Sequence, residues 1–209
     1  NMGQYKGEEI MKKVGYVLII IALSTMSFLL IKKIEIKEEE KNNVEEYLDI
    51  TSTKKIEKKK EDDVKKETSS SYREINYTAI LEIPSINLKS GVVDNTKNFD
   101  SIRYAISVDN SSNYPDKNGN FILYAHSGNS NMSFFRNLNK VNINDRVNVY
   151  FNGIKYKYKI IKKYDIEKSG TASVVSSKEN KYITLITCNQ ERKGYQVVVV
   201  GILIEEVNY

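Results

Sequence analysis

An uncharged apolar stretch, VGYVLIIIALSTMSFLLI, runs from Val14 to Ile31, with Lys12 and Lys13 before it and Lys32 and Lys33 after it. A run of this length crosses a bilayer as a tilted or slightly thin helix. It ends Leu29-Leu30-Ile31-Lys32-Lys33, without the small residues that mark a cleaved leader, so residues 11–34 read as an uncleaved signal anchor. Lysines on both flanks leave the positive-inside count undecided. The very short N-terminal side predicts an N-inside, C-outside orientation. Residues 1–10 are expected to lie outside the native chain. The sequence opens on Asn1, and Lys6-Gly7-Glu8-Glu9 is the peptide that a purine-rich ribosome-binding stretch encodes in frame. Met11 is then the start, an expectation that N-terminal sequencing returning Asn1 or Met2 overturns. From residue 35 to about residue 76 the pattern is Glu, Lys and Asp, closing on Thr68-Ser69-Ser70-Ser71. Such a segment cannot bury enough apolar surface to fold alone. Val44, Leu48 and Ile56 are too sparse for a coiled-coil seam, so the prediction is a charged flexible stalk with fluctuating helix.

From residue 77 short β-rich runs recur between turn signals. They are Ala79–Ile83, Leu88–Val93, Asn120–His126, Arg146–Phe151, Lys155–Ile166, Tyr182–Cys188 and Gln196–Glu205. Asn152-Gly153 between two alternating runs predicts a tight hairpin. In Lys155-Tyr156-Lys157-Tyr158-Lys159-Ile160 lysines alternate with apolar groups, as on a sheet with one wet face. Phe99–Ala105 and Ser133–Leu138 are predicted to be helical. The fold class is mostly β: seven or eight short strands in roughly 130 residues suggest a closed or nearly closed barrel over residues 77–209.

Composition narrows the chemistry. The net charge of +5 could suit an anionic partner, but most lysines are interleaved with Glu and Asp, so no nucleic-acid footprint stands out. A single Cys excludes an intramolecular disulfide framework. One Cys and one His predict no zinc site, while calcium held by scattered carboxylates stays open. No phosphate loop or dinucleotide fingerprint occurs, and no cofactor is expected. The lone Cys188 and the lone His126 each end a strand-like run. A thiolate beside an imidazole is the usual nucleophilic pairing, against the plainer alternative of a buried structural Cys and an unrelated surface His.

Thr184-Leu185-Ile186-Thr187-Cys188 resembles the Thr-Leu-x-Thr-Cys motif of sortases, the membrane-anchored transpeptidases of Gram-positive bacteria. Leu81-Glu82-Ile83-Pro84-Ser85-Ile86 is similar to the opening strand of that family, and Tyr124-Ala125-His126 to the strand end that carries its histidine. Phe134-Phe135-x-x-Leu138 and Asn144-Asp145-Arg146-Val147 match its Phe-Phe-x-x-Leu and Gly-Asp-x-Val patterns, with Asn144 in place of Gly. The resemblance implies an eight-stranded β-barrel with short helices, behind a single-pass anchor in the cell membrane, with the catalytic domain outside. It implies that Cys188 attacks an LPXTG-like sorting signal of a secreted protein. A cell-wall or pilin amine then resolves the thioacyl-enzyme, and His126 serves as acid and then base. The family also carries an Arg before the β-branched run of its last strand. Here that run is Val197–Val200, preceded by Gln196, and the nearest Arg is Arg192. Either Arg192 reaches the site from a short loop or Gln196 donates a neutral hydrogen bond to the oxyanion. The space between Asp165 and Lys181 is small for a class B helix, and no Asp-Pro-aromatic lid of class C precedes the barrel, so classes A, D or E are the nearer match. Two alternatives stand beside the transpeptidase: a barrel that binds sorting-type peptides with little or no catalysis, and a hydrolytic thiol peptidase. Ser127–Met132 is expected to be a mobile loop beside the groove.

Overall fold

The computed structural model describes residues 2–53, 77–94, 105–130, 132–169 and 177–209, with side chains from residue 13 onward. Two compact units result, Asn1–Lys41 and Asn42–Tyr209. A helix, α1, runs over Met2–Thr53 and contributes to both. In the first unit it contains a stretch long and apolar enough to cross a membrane, and its residues Val14, Leu18, Leu23, Phe28 and Ile31 are all exposed.

The second unit is a closed eight-stranded barrel. Its strands are β1 (Ala79–Ile83), β2 (Leu88–Asp94), β3 (Ile106–Val108), β4 (Gly119–Tyr124), β5 (Arg146–Phe151), β6 (Ile154–Glu167), β7 (Lys181–Cys188) and β8 (Tyr195–Asn208). Around the barrel the order is β1-β2-β3-β4-β7-β8-β6-β5. Neighbours pair antiparallel except β2 with β3 and β4 with β7, which are parallel. Alternation along each strand makes the core. Leu81 and Ile83, Phe121 and Leu123, Val147 and Val149, Tyr156 and Tyr158, Ile183 and Leu185, and Val197 and Val199 all point inward. Asn152 and Gly153 turn the β5–β6 hairpin at φ 50° and 76°. Both values are left-handed, as the Asn-Gly signal requires. Asn144 has φ 75°, so the position where the family pattern has Gly is a left-handed one that Asn tolerates.

Two points in the barrel differ from the sequence reading. The strand β3 went unpredicted; three buried residues between turns carry too little pattern to read. Ser133–Leu138 forms no α-helix. Arg136 N–H donates to Ser133 O at 3.0 Å and Leu138 N–H to Phe135 O at 3.1 Å, and a 3₁₀ turn follows at Leu138–Lys140. The three-residue spacing puts Phe135 and Leu138 together in the core, which a 3₁₀ turn serves better than an α-helical one. Most of the predicted helix at Phe99–Ala105 lies outside the described residues, as do residues 54–76 of the stalk and residues 170–176.

The start of the stalk also differs from expectation. Asn42–Thr53 is helical and packs on the barrel. Val44 is 3% exposed, against Ile80 and Tyr150, with Tyr47, Leu48, Tyr77 and Tyr209 around them. Tyr47 Oη donates to Thr78 O at 2.7 Å, and the hydroxyls of Thr51 and Tyr209 are 2.7 Å apart. Val44, Tyr47 and Leu48 are spaced i, i+3, i+4, which is one helical stripe. That stripe is too short for a coiled coil but wide enough to cover Ile80 and Tyr150. These two face each other on β1 and β5 with their side chains outside the barrel.

Candidate active site

The parallel pairing of β4 with β7 runs Gly119↔Lys181 to Tyr124↔Ile186. Phe121 and Leu123 on β4, like Ile183 and Leu185 on β7, face the core. Alternate residues therefore face outward, and continuing the register by two residues sets His126 beside Cys188 on the outer face. Both side chains are exposed, while their neighbours Ala125, Ser127 and Thr187 are buried. A reactive thiol needs such access, and a structural Cys does not.

The two strand ends are tied together just short of this pair. The last ladder bond, Ala125 N–H to Ile186 O, is long at 3.4 Å. The buried Thr187 Oγ1 then donates to Ala125 O at 2.7 Å. Lower on the same outer face Asn120 Nδ2 donates to Thr184 Oγ1 at 2.9 Å, both residues being buried. The two Thr residues of the Thr-Leu-x-Thr-Cys motif thus both bond to β4 or its end. Sequence reading saw the motif but not this use of its hydroxyls.

Past His126 the chain is also held. Phe135 N–H donates to His126 O at 3.0 Å. Arg136 donates from Nε to Gly128 O at 3.0 Å and from Nη2 to Ser130 O at 2.8 Å. The Ser130 and Ser133 hydroxyls are 3.0 Å apart. Within the Ser127–Met132 loop, Gly128 and Ser130 are thus hydrogen-bonded, and Asn131 lies outside the described residues.

On the other side of Cys188 stands Gln196, its direct cross-strand partner on β8. Directly paired residues of an antiparallel ladder project to the same face, so the half-buried Gln196 shares the outer face with Cys188. Arg192 sits in the connecting loop, with its guanidinium 3.3 Å from the centroid of the Tyr195 ring. Tyr195 precedes Gln196 on the same strand, so the pleat turns its ring to the opposite face; its hydroxyl donates to Glu167 Oε1 at 3.3 Å. The loop is a compact turn. Asn189 Oδ1 accepts from the backbone N–H groups of Glu191 at 2.9 Å and Arg192 at 3.0 Å, and Gly194 supplies φ 86°. Of the two donors read from the sequence, the fold brings Gln196 to Cys188 and stacks Arg192 on Tyr195.

Among the described residues no group of three or more His, Cys, Asp or Glu side chains is placed to hold a metal ion. A shallow concavity of about 540 Å³, lined by Pro84, Arg146, Asn148, Lys155 and Lys157 among others, lies on the β5–β6 side and includes neither Cys188 nor His126.

Comparison with known proteins agrees with this arrangement. The sequence profile of the sortase domain matches residues 81–204. Sortase D of Bacillus subtilis (strain 168) is 27% identical over 111 residues, which is 53% of this chain and 54% of that protein. The chain thus matches about half the length of this curated relative. Among solved structures, a Clostridium perfringens sortase D5 transpeptidase superposes with a TM-score of 0.59 at 21% identity, covering 79% of this chain and 98% of that one. Sortase A of Listeria monocytogenes gives a TM-score of 0.55 at 21% identity, over 64% of this chain and 90% of that one. With that profile spanning more than half of its length, this chain belongs to the sortase family.

Proposed function

We propose that this protein is a membrane-anchored cysteine transpeptidase acting on an LPXTG-like sorting signal of secreted proteins. The observation that carries the reading is the exposure of Cys188 and His126 side by side at the ends of two parallel strands, with Gln196 across from the sulfur. The Cys188 thiolate adds to the scissile carbonyl, and the resulting oxyanion accepts a hydrogen bond from the side-chain amide of Gln196. The C–N bond breaks as the imidazolium of His126 gives its proton to the departing amine, leaving a thioester on Cys188. A second amine, from a cell-wall precursor or a pilin lysine, loses its proton to His126 and attacks the thioester. The new amide leaves and the sulfur returns as thiolate. Dividing amide exchange into two acyl transfers is what the covalent intermediate provides. The apolar part of α1 anchors the chain by a single pass, with the barrel on the extracellular side.

The test is incubation of the full chain in detergent with a library of fluorogenic LPXTG-type peptides, with and without an added amine. Cleavage that yields an amine-ligated product, and that Cys188→Ala abolishes, supports the reading. Peptide binding without turnover supports the second reading, a sortase-like barrel that captures sorting-type peptides. The neutral Gln196, standing where the family carries a cation, favours that alternative.

A further inference from the structure

Residues 133–139 touch the loops behind both members of the catalytic pair. Towards the His126 side, Phe135 N–H donates to His126 O at 3.0 Å, and the Arg136 side chain reaches the carbonyls of Gly128 at 3.0 Å and Ser130 at 2.8 Å. Towards the Cys188 side, Gln190 Nε2 donates to Arg136 O at 3.4 Å, and Asn139 Nδ2 donates to Glu191 Oε1 at 2.7 Å. Phe135 and Leu138 are fully buried and fix this segment to the core. The pleated ladder between β4 and β7 ends at Tyr124 and Ile186, before either reactive residue. Beyond that point the strand ends are tied by the Ala125 N–H to Ile186 O and Thr187 Oγ1 to Ala125 O bonds, and the loops that follow complete the placement of His126 against Cys188.

We infer that Arg136 is a positioning residue: its guanidinium clamps the loop after His126 to a strut that also braces the loop after Cys188, and so holds imidazole and thiol in register. The side-chain chemistry suits the task. Two carbonyls two residues apart take two donors, and the guanidinium supplies them from two nitrogens of one rigid plane, Nε to Gly128 O and Nη2 to Ser130 O. The residue is exposed and touches no reacting atom in this arrangement, so its effect on chemistry passes through the placement of His126. Placement errors of about 1 Å reduce turnover by as much as about 10²-fold, so a modest clamp has a large lever. For its consequence in turnover this inference rests on the transpeptidase reading, but the geometry it describes does not.

The test uses the unique thiol. Iodoacetamide alkylation of Cys188 is timed in the full chain, in detergent, for the parent, His126→Ala, Arg136→Ala and the double variant. In the parent, removing the imidazole is expected to change the alkylation rate by about fivefold or more; in the Arg136→Ala background the same removal is expected to change it by less than about twofold. An equal ratio in both backgrounds overturns the clamp, and so does a parent in which His126→Ala has no effect. With a cleavable peptide in hand, Arg136→Ala is expected to lower kcat about tenfold at a KM within about twofold of the parent, and an unchanged kcat again overturns the clamp. If the parent cleaves and ligates no peptide, the transpeptidase reading fails while the alkylation comparison still decides the clamp.

Discussion

Gln196 and Arg192 are four residues apart, yet one lies in the sheet and the other in the loop before it. Gln196 is in register with Cys188, while Arg192 lies against the Tyr195 ring at 3.3 Å. Which of them is paired with Cys188 depends on where the β7–β8 turn closes, and no residue type reveals that; it follows from Asn189 capping the loop and Gly194 taking a left-handed φ. By contrast Cys188 and His126 are legible as a pair without coordinates. Each is the sole residue of its type, and each ends a run of apolar alternation. On the proposed mechanism, Gln196→Ala is expected to lower kcat by about 10²-fold, the cost of losing one oxyanion donor. Arg192→Ala is expected to stay within about twofold of the parent, as for a solvated surface charge. Steady-state kinetics on one cleaved peptide compare the two. A larger loss for Arg192→Ala reverses the assignment.

At the scale of elements, the end of α1 departs most from what the charge pattern suggests. Asn42–Thr53 has the composition of a solvated stalk, and only the i, i+3, i+4 placing of Val44, Tyr47 and Leu48 gives it a side to bury. Whether such a stripe finds a surface depends on Ile80 and Tyr150, outward-facing apolar residues on strands far away in sequence, and so is a tertiary fact. The strands themselves are legible where alternation lasts six residues or more, as in β5 and β6, and β3 is lost because it has three. Val44→Asp places a carboxylate at a position that is 3% exposed. It is expected to destabilise the barrel by roughly 2 kcal/mol or more, read as a lower midpoint in urea unfolding of the full chain. A solvent-exposed neighbour, Glu46→Gln, is expected to leave the midpoint unchanged. Equal midpoints for parent and Val44→Asp show instead that Asn42–Thr53 adds nothing to barrel stability.

For the whole molecule, the absence of Trp and the abundance of Tyr shape both core and pH response. Burial, with the carboxylates of Glu206 and Asp116 adding to it, pushes the Tyr156 phenol up to about 12. Burial, a hydrogen bond to Asp94 and the charge of that carboxylate push Tyr114 up to about 12. Burial likewise raises Tyr158 and Tyr150, the latter with help from Glu82. Each phenol is therefore harder to ionise in the folded chain than at the ordinary value of 10.0. Such groups contribute stability that is fully present below pH 10 and is lost as the pH rises from there towards 12, because the unfolded chain releases its phenolic protons first. The expected outcome is a urea midpoint that is flat from pH 8 to 9.5 and falls steeply above about pH 10, with phenolate absorbance appearing together with unfolding. Phenolate absorbance that rises fully while the midpoint holds contradicts the burial of these rings. Barrel closure itself was within reach of the sequence, since seven strand-like runs over one domain leave few other ways to hide their edges. The rest of the strand order was not, because only the pairing of His126 with Cys188 points to a neighbour relation, that of β4 with β7.

That order bears on how the protein comes to life. The pairs β1–β2, β5–β6 and β7–β8 join neighbours in sequence and can zip early. β4 meets β7 only after β5 and β6 have been laid down between them, and such distant pairings form slowly. A half-built barrel therefore presents Cys188 next to Gln196 but without His126. On the proposed mechanism, the sulfur has a proton partner only once β4 has paired with β7.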